Sequence, residues 1–429
     1  MIRILEKPII KAAFISSYSP RKCGIATFTS DLIKTMKLAG GEEFEPYVFA
    51  MQPETCLEYD ETVKLKIRKD VKSDYISAAE YINLSDIDFV SVQHEFGLFG
   101  GDGGSYLGLL LKRLKKTVIT TLHTVLEQPS TEYFDSLTDV CESSNKVIVM
   151  NKRGIKILRQ IYGVAKEKIE LIPHGIPDLP FSESNYYKRK LGMPGRKTIL
   201  TFGLLSRNKG IEVMLRALPT IVKADPSILY IVLGVTHPEV LCCEGQEYKF
   251  QLEKMVLDLG LQRNVVFYNR FADEEELFQF LGAADVYVTP YLHKEQLTSG
   301  TLALAMGAGK AVVSTPFWAA QELLAQGRGK LVRFGDSKQI ARSIMEILSN
   351  DSLSLSMRKR AYEYGRAMTW PEVGQNYWNL FRTCMPPISI PLRPTVRSTD
   401  WKTLTYNRRE APTLRTGRKV GDSQIYRSA

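Results

Sequence analysis

The chain has 429 residues, of which 44% are hydrophobic and 24% charged, a balance that predicts a soluble globular protein of two or three domains and excludes disorder over most of its length. Basic residues exceed acidic ones by 57 to 47, but nine basic and three acidic residues lie between positions 386 and 429. This segment therefore carries +6 of the net charge of +10, and the rest of the chain is too weakly basic to predict a nucleic-acid-binding face.

In chain order, short apolar runs rich in β-branched residues alternate with stretches of helical periodicity. The runs predict strands at 12–17, 88–94, 117–123, 146–150, 168–172, 198–203, 228–234, 264–268, 285–290, 310–315 and 330–334. Most are apolar throughout, which is typical of parallel strands covered by helices on both faces. Because helical stretches such as 26–40, 106–116 and 211–224 lie between them, the sequence predicts an α/β protein with doubly wound parallel sheets.

The polar segment from Asp178 to Lys197 interrupts this alternation and predicts a linker between two α/β domains of similar size. Ligands of such sheets lie outside the carboxyl ends of the strands, so two facing domains would form a cleft. Residues 338–384 are predicted to be helical, and Pro371 suits the first turn of a last helix. From residue 386 the composition predicts a disordered basic tail, and docking of this tail on an anionic membrane surface is the second interpretation.

Neither cysteines nor carboxylates predict a metal site. None of the six cysteines forms a C-x-x-C pair or has a histidine at zinc-like spacing, which predicts reduced thiols. Asp86 and Asp88 form a D-x-D pattern, but at the start of a strand, the wrong end for a ligand. The chain start lacks a signal-peptide core and no apolar run reaches the ~20 residues of a membrane span, so we expect a cytoplasmic protein, with peripheral contact to the inner membrane face as the alternative.

Three loops after strands of the first half carry candidate site residues. Gly24 lies between a strand and a helix, where a ligand can approach the helix amides, although many such turns contain glycine for geometry alone. His123 ends a buried strand on the same edge. His94 and Glu95 end another strand and precede a glycine-rich loop that contains Gly100 and Gly101. That pattern predicts a substrate-contacting loop, and a structural histidine at a strand end is the alternative.

Two loops of the second half suit a phosphate-bearing ligand. Gly203 ends a strand, and Arg207 and Lys209 follow before a helix, so that two cations and helix amides could hold a diphosphate. A Walker pattern is absent, and a solvated basic turn is the alternative. A second apolar helix opens with the segment 299–301, and the carboxylate and amide that precede it could reach a sugar (Glu295, Gln296, Ser299, Gly300 and Thr301). Ordinary capping of this helix by its serine is the alternative.

In this order, several pieces resemble family 4 of the glycosyltransferases, which have the GT-B fold, and its mannosyltransferase-like members in particular. They lie between about residues 11 and 384 and are CGIATFTSDL, QHEFGLFGG, TLHT, IPHGIPD, GLLSRNKGIE, SGTLALAMGAGKAVVSTP, QELLAQGRGKLV and WPEVGQNYWNLF. The resemblance implies two Rossmann-like domains facing a cleft, with an acceptor-binding domain at 1–178 and a nucleotide-sugar-binding domain at 179–369. It also implies that a helix at 370–385 returns to the first domain, ahead of the tail at 386–429.

The resemblance also implies roles for individual residues. Gly24 would lie near the donor phosphates, His123 would contact the donor sugar, and Lys209, helped by Arg207, would neutralise the leaving diphosphate. Glu322 would belong to the cleft wall of the second domain. The loop with His94, Glu95, Gly100 and Gly101 would contact the acceptor.

The chain departs from the family pattern at three positions. An arginine usually follows the strand-end glycine, and here that residue is Leu204. The family's two glutamates fall on Gln296 and Leu304, and a leucine cannot hydrogen-bond a ribose. A donor site built on the segment 299–301 is the explanation we favour.

The resemblance implies retaining transfer of a hexose from a nucleotide-diphosphate sugar to a saccharide or lipid-linked saccharide, without a metal or another cofactor. GDP-mannose and UDP-glucose are the expected donors. A phosphorylase or an epimerase on the same fold is one competing hypothesis, and the chain offers no Schiff-base lysine for pyridoxal phosphate. A non-catalytic nucleotide-sugar-binding protein is the other.

Overall fold

The first domain alternates strands with helices. Its elements are β1 (Ile10–Ser16), α1 (Gly24–Gly40), β2 (Phe44–Gln52), β3 (Val63–Arg68), α2 (Lys72–Leu84), β4 (Phe89–His94), α3 (Tyr106–Leu111), β5 (Thr117–Leu122), α4 (Thr131–Ser143), β6 (Lys146–Val149), α5 (Lys152–Gln160) and β7 (Ile169–Leu171). The strands form one parallel sheet in the order β3-β2-β1-β4-β5-β6-β7. This computed structural model describes residues 9–53 and 57–385, so the predicted basic tail at 386–429 lies outside the described residues.

The second domain repeats the same alternation. Its elements are α6 (Ser184–Lys190), β8 (Lys197–Phe202), α7 (Ile211–Ala224), β9 (Ile228–Leu233), α8 (Pro238–Glu244), α9 (Glu247–Asp258), β10 (Val265–Tyr268), α10 (Glu274–Ala283), β11 (Val286–Thr289), α11 (Gly300–Gly307), β12 (Ala311–Ser314), α12 (Trp318–Leu323), β13 (Lys330–Leu331), α13 (Ser337–Ser349), α14 (Asp351–Gly365) and α15 (Trp370–Thr383). The strands form a parallel sheet in the order β10-β9-β8-β11-β12-β13. Two doubly wound parallel sheets confirm the predicted fold class.

The sequence analysis missed two strands, β2 and β3. β3 has the sequence VKLKIR and lies at the edge of the sheet, where polar side chains alternate with apolar ones and stay largely exposed. β2 has the sequence FEPYVFAMQ, in which Glu45 and Pro46 interrupt the apolar run. A search for continuous apolar runs finds central parallel strands, because helices cover both of their faces, and passes over strands of this kind.

The last helix, α15, packs on the first domain. Gly374 lies so close to α1 that a Cβ there would stand 2.7 Å from Cβ of Thr35. Phe381 stacks on Phe89 of β4 with ring centroids 5.2 Å apart, and Oη of Tyr377 lies 2.9 Å from Oγ1 of Thr121 in a buried hydrogen bond. The helix therefore completes the core of the domain that lies farther from it in sequence.

The chain crosses between the two domains at two adjacent points. The backbone N of Ile176 donates to O of Met368 at 2.9 Å, and the backbone N of Trp370 donates to O of Ile176 at 2.8 Å. Both sheets lie in one compact unit that ends at Met385. Within the described residues, every helix is too short or too polar to cross a membrane.

Truncation of Phe381 tests how much α15 contributes. Phe381→Ala removes a fully buried ring and leaves a cavity against β4, so we expect the first domain to lose about 3–5 kcal/mol of stability, measured by urea denaturation. Asn376→Ala, on the exposed face of the same helix, is the matched control and should leave the midpoint unchanged. Equal midpoints for the two variants would contradict a structural role of this contact.

Candidate functional site

The first domain brings the loops that follow β5 and β7 together around the ring of Phe28 in α1. The Phe28 ring meets the rings of His123 and His174 edge-on, with centroids 4.9 and 5.1 Å apart. At the start of α1, Sγ of Cys23 accepts a hydrogen bond from a first-turn backbone N at 3.4 Å. A Cβ at Gly24 would meet no atom within 4 Å, so the space before this helix is open to a ligand.

The side chain of His123 has one hydrogen bond among the described residues. Its Nε2 lies 3.0 Å from Oε1 of Gln93, and its backbone N donates to O of His94 at 3.0 Å. Burial, and then the rings of His174 and His94, lower the pKa of His123 to about 3. The imidazole is therefore neutral near pH 7, and its Nδ1 is left for another partner.

The structure buries the side chain of His94 completely, as expected for a structural histidine, and an acceptor contact by His94 stays a prediction. The His94 ring stacks on Phe99 with centroids 6.0 Å apart and meets Phe96 edge-on at 4.9 Å. Burial lowers the pKa of His94 to about 4. Glu95 is only part-buried, and its carboxylate accepts from Oγ1 of Thr124 at 2.7 Å and from the backbone N of Phe96 at 3.1 Å. An acceptor role for Glu95 stays a prediction.

The glycine-rich loop has a packing explanation. A Cβ at Gly100 would stand 2.1 Å from the carbonyl O of Lys69, which explains a glycine at this buried position, and the acceptor contact of Gly100 stays a prediction. Gly101 has φ 77°, where side chains are rare, and a Cβ there would stand 2.6 Å from the Tyr106 ring. Gly101 is exposed, and its acceptor contact stays a prediction.

The second domain builds a polar cluster at the carboxyl ends of its two central strands, β8 and β11. Nζ of Lys209 donates to Oη of Tyr291 at 2.8 Å and lies 4.1 Å from the centroid of the same ring. Oη of Tyr291 lies 3.1 Å from Oγ1 of Thr301, which in turn lies 3.3 Å from Oγ of Ser299. Among the described residues no carboxylate lies within 4.0 Å of the Lys209 ammonium, so this cation is available for an anionic ligand.

Two electrostatic effects act on Tyr291 in opposite directions. Burial alone would raise the pKa of its phenol, but the ammonium of Lys209 and the hydrogen bonds to Lys209, Thr301 and Ser299 bring the pKa below its usual value. The ring also stacks on Phe317 at 4.9 Å. A phenol held in this way is a strong hydrogen-bond donor beside the cation.

The helix α11 starts in this cluster. Oγ of Ser299 accepts from the backbone N of Leu302 at 3.3 Å, which confirms the predicted cap. The backbone N atoms of Gly300 and Thr301 have no intrahelical partner at this end, and together with the dipole of α11 they favour an anion. Gly203, at the end of β8, faces this start: a Cβ there would stand 3.2 Å from Cγ2 of Thr301. The structure thus brings Gly203, Lys209 and the segment 299–301 together.

The starts of α7 and α11 lie close to the other loops of the site. A Cβ at Gly300 would stand 3.0 Å from Nε2 of His174, so the cluster around Lys209 and the histidines of the first domain meet here. Gly210, with φ 62°, lets the turn after Lys209 approach the loop after β11, since a Cβ there would stand 2.1 Å from O of Pro290.

Other predicted residues lie outside this cluster. The guanidinium of Arg207 forms a salt bridge to Glu244 at 2.8 Å and a hydrogen bond to Gln251 at 3.0 Å, so the structure does not bring it to Lys209. Oε2 of Glu322 accepts from the backbone N of Lys152 at 2.9 Å and thus bridges the two domains.

The two residues that precede α11 also stay apart from the cluster. Nε2 of Gln296 donates to O of Thr298 at 3.1 Å, and Glu295 is exposed. A sugar contact by either residue remains a prediction.

Sequence reasoning missed three site residues: Gln93, His174 and Tyr291. Gln93 precedes His94 in the same strand, and only the alternation of side chains along β4 could have indicated that it faces the other side. His174 lies in the IPHGIPD segment, which contributed to the resemblance without receiving a role. Tyr291 directly follows β11 and could have been found as a strand-end residue at the centre of a doubly wound sheet.

Comparisons with known proteins find similar sequences and similar folds. Residues 184–368, which make up most of the second domain, match the family model for "Glycosyl transferases group 1". The chain is 26% identical over 263 residues to the D-inositol 3-phosphate glycosyltransferase of Corynebacterium urealyticum, covering 59% of each chain. It is 27% identical over 227 residues to the phosphatidyl-myo-inositol mannosyltransferase of Mycolicibacterium smegmatis, covering 52% of this chain and 54% of the other.

Over these matches the chain spans between half and three-fifths of the length of its curated relatives. Among solved structures, a sucrose-phosphate synthase from Thermosynechococcus elongatus has a similar fold. Its TM-score is 0.71 at 18% identity, over 87% of this chain and 98% of the other. This likeness and the two parallel sheets confirm the expected GT-B architecture.

Replacement of Lys209 tests the anion site. Lys209→Met removes the one ammonium of the cluster but keeps much of the side-chain volume over Tyr291, so we expect nucleoside diphosphates to bind at least about tenfold more weakly in calorimetry. Lys294→Met, an exposed lysine on the loop after β11, is the matched control and should bind normally. Equal affinity of both variants would place the anion elsewhere.

Arg207 gives the opposite expectation. Because its guanidinium is exposed and paired with Glu244, Arg207→Ala should change nucleotide affinity by no more than about twofold. A loss as large as that of the Lys209 variant, in the same titration, would show that Arg207 leaves Glu244 to join the ligand.

Proposed function

We propose that the protein is a retaining glycosyltransferase that moves a hexose from a nucleotide-diphosphate sugar to a saccharide or lipid-linked acceptor. The observation that carries the proposal is the meeting of two dissimilar half-sites at Gly300. One half offers the Lys209 ammonium and the amides of α11, and the other offers the neutral imidazoles of His123 and His174. A ligand with an anionic end and a hydroxyl-bearing end fits both.

The chemistry follows from the charges. As the bond between sugar and phosphate breaks, negative charge grows on the diphosphate and positive charge on the sugar ring. Lys209, the Tyr291 hydroxyl and the first amides of α11 stabilise the diphosphate charge, and they are already in place before the reaction. The acceptor hydroxyl attacks from the face that the diphosphate leaves and passes its proton to a phosphate oxygen, which retains the anomeric configuration.

The histidines orient the sugar. Nδ1 of His174 donates to O of Gly175 at 2.7 Å, so its Nε2 is an acceptor directed at Gly300. Burial lowers the pKa of His174, partly offset by this hydrogen bond. His123 is neutral as well, so neither ring repels the positive charge that develops on the sugar, and both can accept from sugar hydroxyls.

For the donor we propose GDP-mannose, with UDP-glucose second. A relative whose name specifies mannosyl transfer supports the hexose. For the acceptor we propose a polyhydroxylated compound, since the two relatives described above are named for inositol phosphate and phosphatidyl-inositol. A cytoplasmic location with peripheral membrane contact through the segment 386–429 belongs to the same proposal. Neither a metal nor another cofactor has a role in it.

A non-catalytic nucleotide-sugar-binding protein is the second candidate. It is favoured by Leu204 and Leu304, which stand where the family has an arginine and a ribose-binding glutamate. A protein that held the diphosphate through Lys209 without orienting the ribose would bind donors and not turn them over.

Turnover separates the two candidates. We would incubate the full chain with UDP-, GDP- and ADP-sugars and mixed saccharide acceptors, and measure nucleotide release and product by mass spectrometry. We expect one donor to be consumed, with Lys209→Ala slower by about 100- to 1,000-fold and Lys294→Ala unchanged. The anomeric coupling constant of the product should match that of the donor.

Other outcomes have definite meanings. Nucleotide binding without turnover by any donor would support the non-catalytic candidate. Turnover with inverted configuration would rule out the same-face mechanism. The absence of both binding and turnover would rule out both candidates.

A further inference from the structure

Gln93 is a fully buried polar residue that no part of the mechanism above uses. It lies in β4, next to β5, and its Oε1 is 3.0 Å from Nε2 of His123. Its own Nε2 is buried and has no hydrogen-bond partner among the described residues. Burying an unpartnered amide N–H destabilises the folded protein, so a glutamine that only filled space would be unfavourable at this position.

The contact has a chemical consequence for His123. A neutral imidazole carries one N–H, and a carbonyl oxygen can only accept. The Oε1 of Gln93 therefore holds the His123 proton on Nε2 and leaves Nδ1 as a lone-pair acceptor. The backbone N of His123 also donates to O of His94, so the backbone that carries the ring is held against β4, the strand that contains Gln93.

The rings that surround His123 are uncharged. From α1 it meets the edge of Phe28, from the end of β4 the neutral ring of His94, and from the segment after β7 the neutral ring of His174. Glu95, next to the end of β4, accepts from Thr124 and from a backbone N. Glu127, four residues after His123, forms a salt bridge to Arg153 at 2.8 Å. Gln93 is thus the one described side chain that hydrogen-bonds the ring.

We propose that Gln93 is a positioning residue that fixes the tautomer of His123, so that the site presents a hydrogen-bond acceptor and selects a ligand that offers a hydroxyl there. This inference rests on the proposed function only for the identity of that hydroxyl, which belongs to the donor sugar. A sugar that lacks the hydroxyl, or carries a methyl ether in its place, is rejected because Nδ1 would be left unpaired.

The tautomer can be measured without any turnover. We would record two-bond ¹H–¹⁵N spectra of the ¹⁵N-histidine-labelled full chain at pH 7 and assign His123 by its loss in His123→Ala. We expect the wild type to show protonated Nε2 and unprotonated Nδ1. Gln93→Met keeps the side-chain length and removes the acceptor oxygen, so its His123 signals should move toward the averaged values of two exchanging tautomers.

Two results of these spectra would overturn the proposal: protonated Nδ1 in the wild type, or an unchanged tautomer in Gln93→Met. Because the spectra need no substrate, a failure here is distinct from a failure to find a transferase activity. Circular dichroism and melting temperature would confirm that each variant is folded.

Gln93→Glu tests the consequence for the ligand. A carboxylate in place of the amide favours the imidazolium and raises the pKa of His123. Below the new pKa, Nδ1 carries a proton and no longer accepts, so kcat/KM should fall as the pH is lowered and recover toward the wild-type value as the pH is raised. The wild type, with a pKa of about 3, should show no such limb between pH 5 and 8.

A double-mutant cycle closes the test. Gln93→Met should lower kcat/KM about two- to tenfold, the cost of one lost hydrogen bond, and should have no further effect in His123→Ala. Additive losses, or a Gln93→Glu profile parallel to the wild type, would show that Gln93 only fills the core.

Discussion

The contact between the start of α11 and the ring of His174 is the constraint on which the site depends. Position 300 is tightly packed, because a Cβ would stand 3.0 Å from Nε2 of His174 and the ring would have to shift. Other contacts join neighbouring segments of the two domains: Nδ2 of Asn151 donates to O of Leu297 at 2.5 Å, and the guanidinium of Arg153 lies 4.4 Å from the Trp318 ring. Each sheet directs its carboxyl ends to one edge, and these contacts join the two edges.

The two edges differ in charge, and the proposed function depends on this difference. Lys209 lies over an aromatic ring and beside helix amides, and it has no salt bridge to a carboxylate among the described residues. Across the junction, burial keeps His123 and His174 neutral. A cation that is partly shielded from water interacts strongly with an anion, whereas neutral imidazole rings bind hydroxyls through directional hydrogen bonds. A sugar joined to a diphosphate carries both kinds of group.

Much of the fold could be predicted from the sequence because parallel strands leave a simple pattern. All eleven predicted strands exist, whereas β2 and β3 escaped because a strand at or near a sheet edge alternates or carries a proline. Site residues were predictable where a glycine or a cap fixes the backbone, as at Ser299. The sequence could not tell that His94 and Gln93 face opposite sides of β4, because that depends on which sheet face each residue packs against.

The departures from the family pattern are consistent with the charges around Lys209. Leu304 lies one turn into α11 and packs against the core of the second domain, where a glutamate would have placed a negative charge near the anion site. Without that charge, Lys209 reaches the hydroxyl of Tyr291 directly and the hydroxyl of Thr301 through one further hydrogen bond. The net positive potential at the start of α11 is therefore higher than a nearby carboxylate would allow. Under the proposed function, recognition of a nucleotide here would rest on its diphosphate and on the sugar beyond it, and less on the ribose.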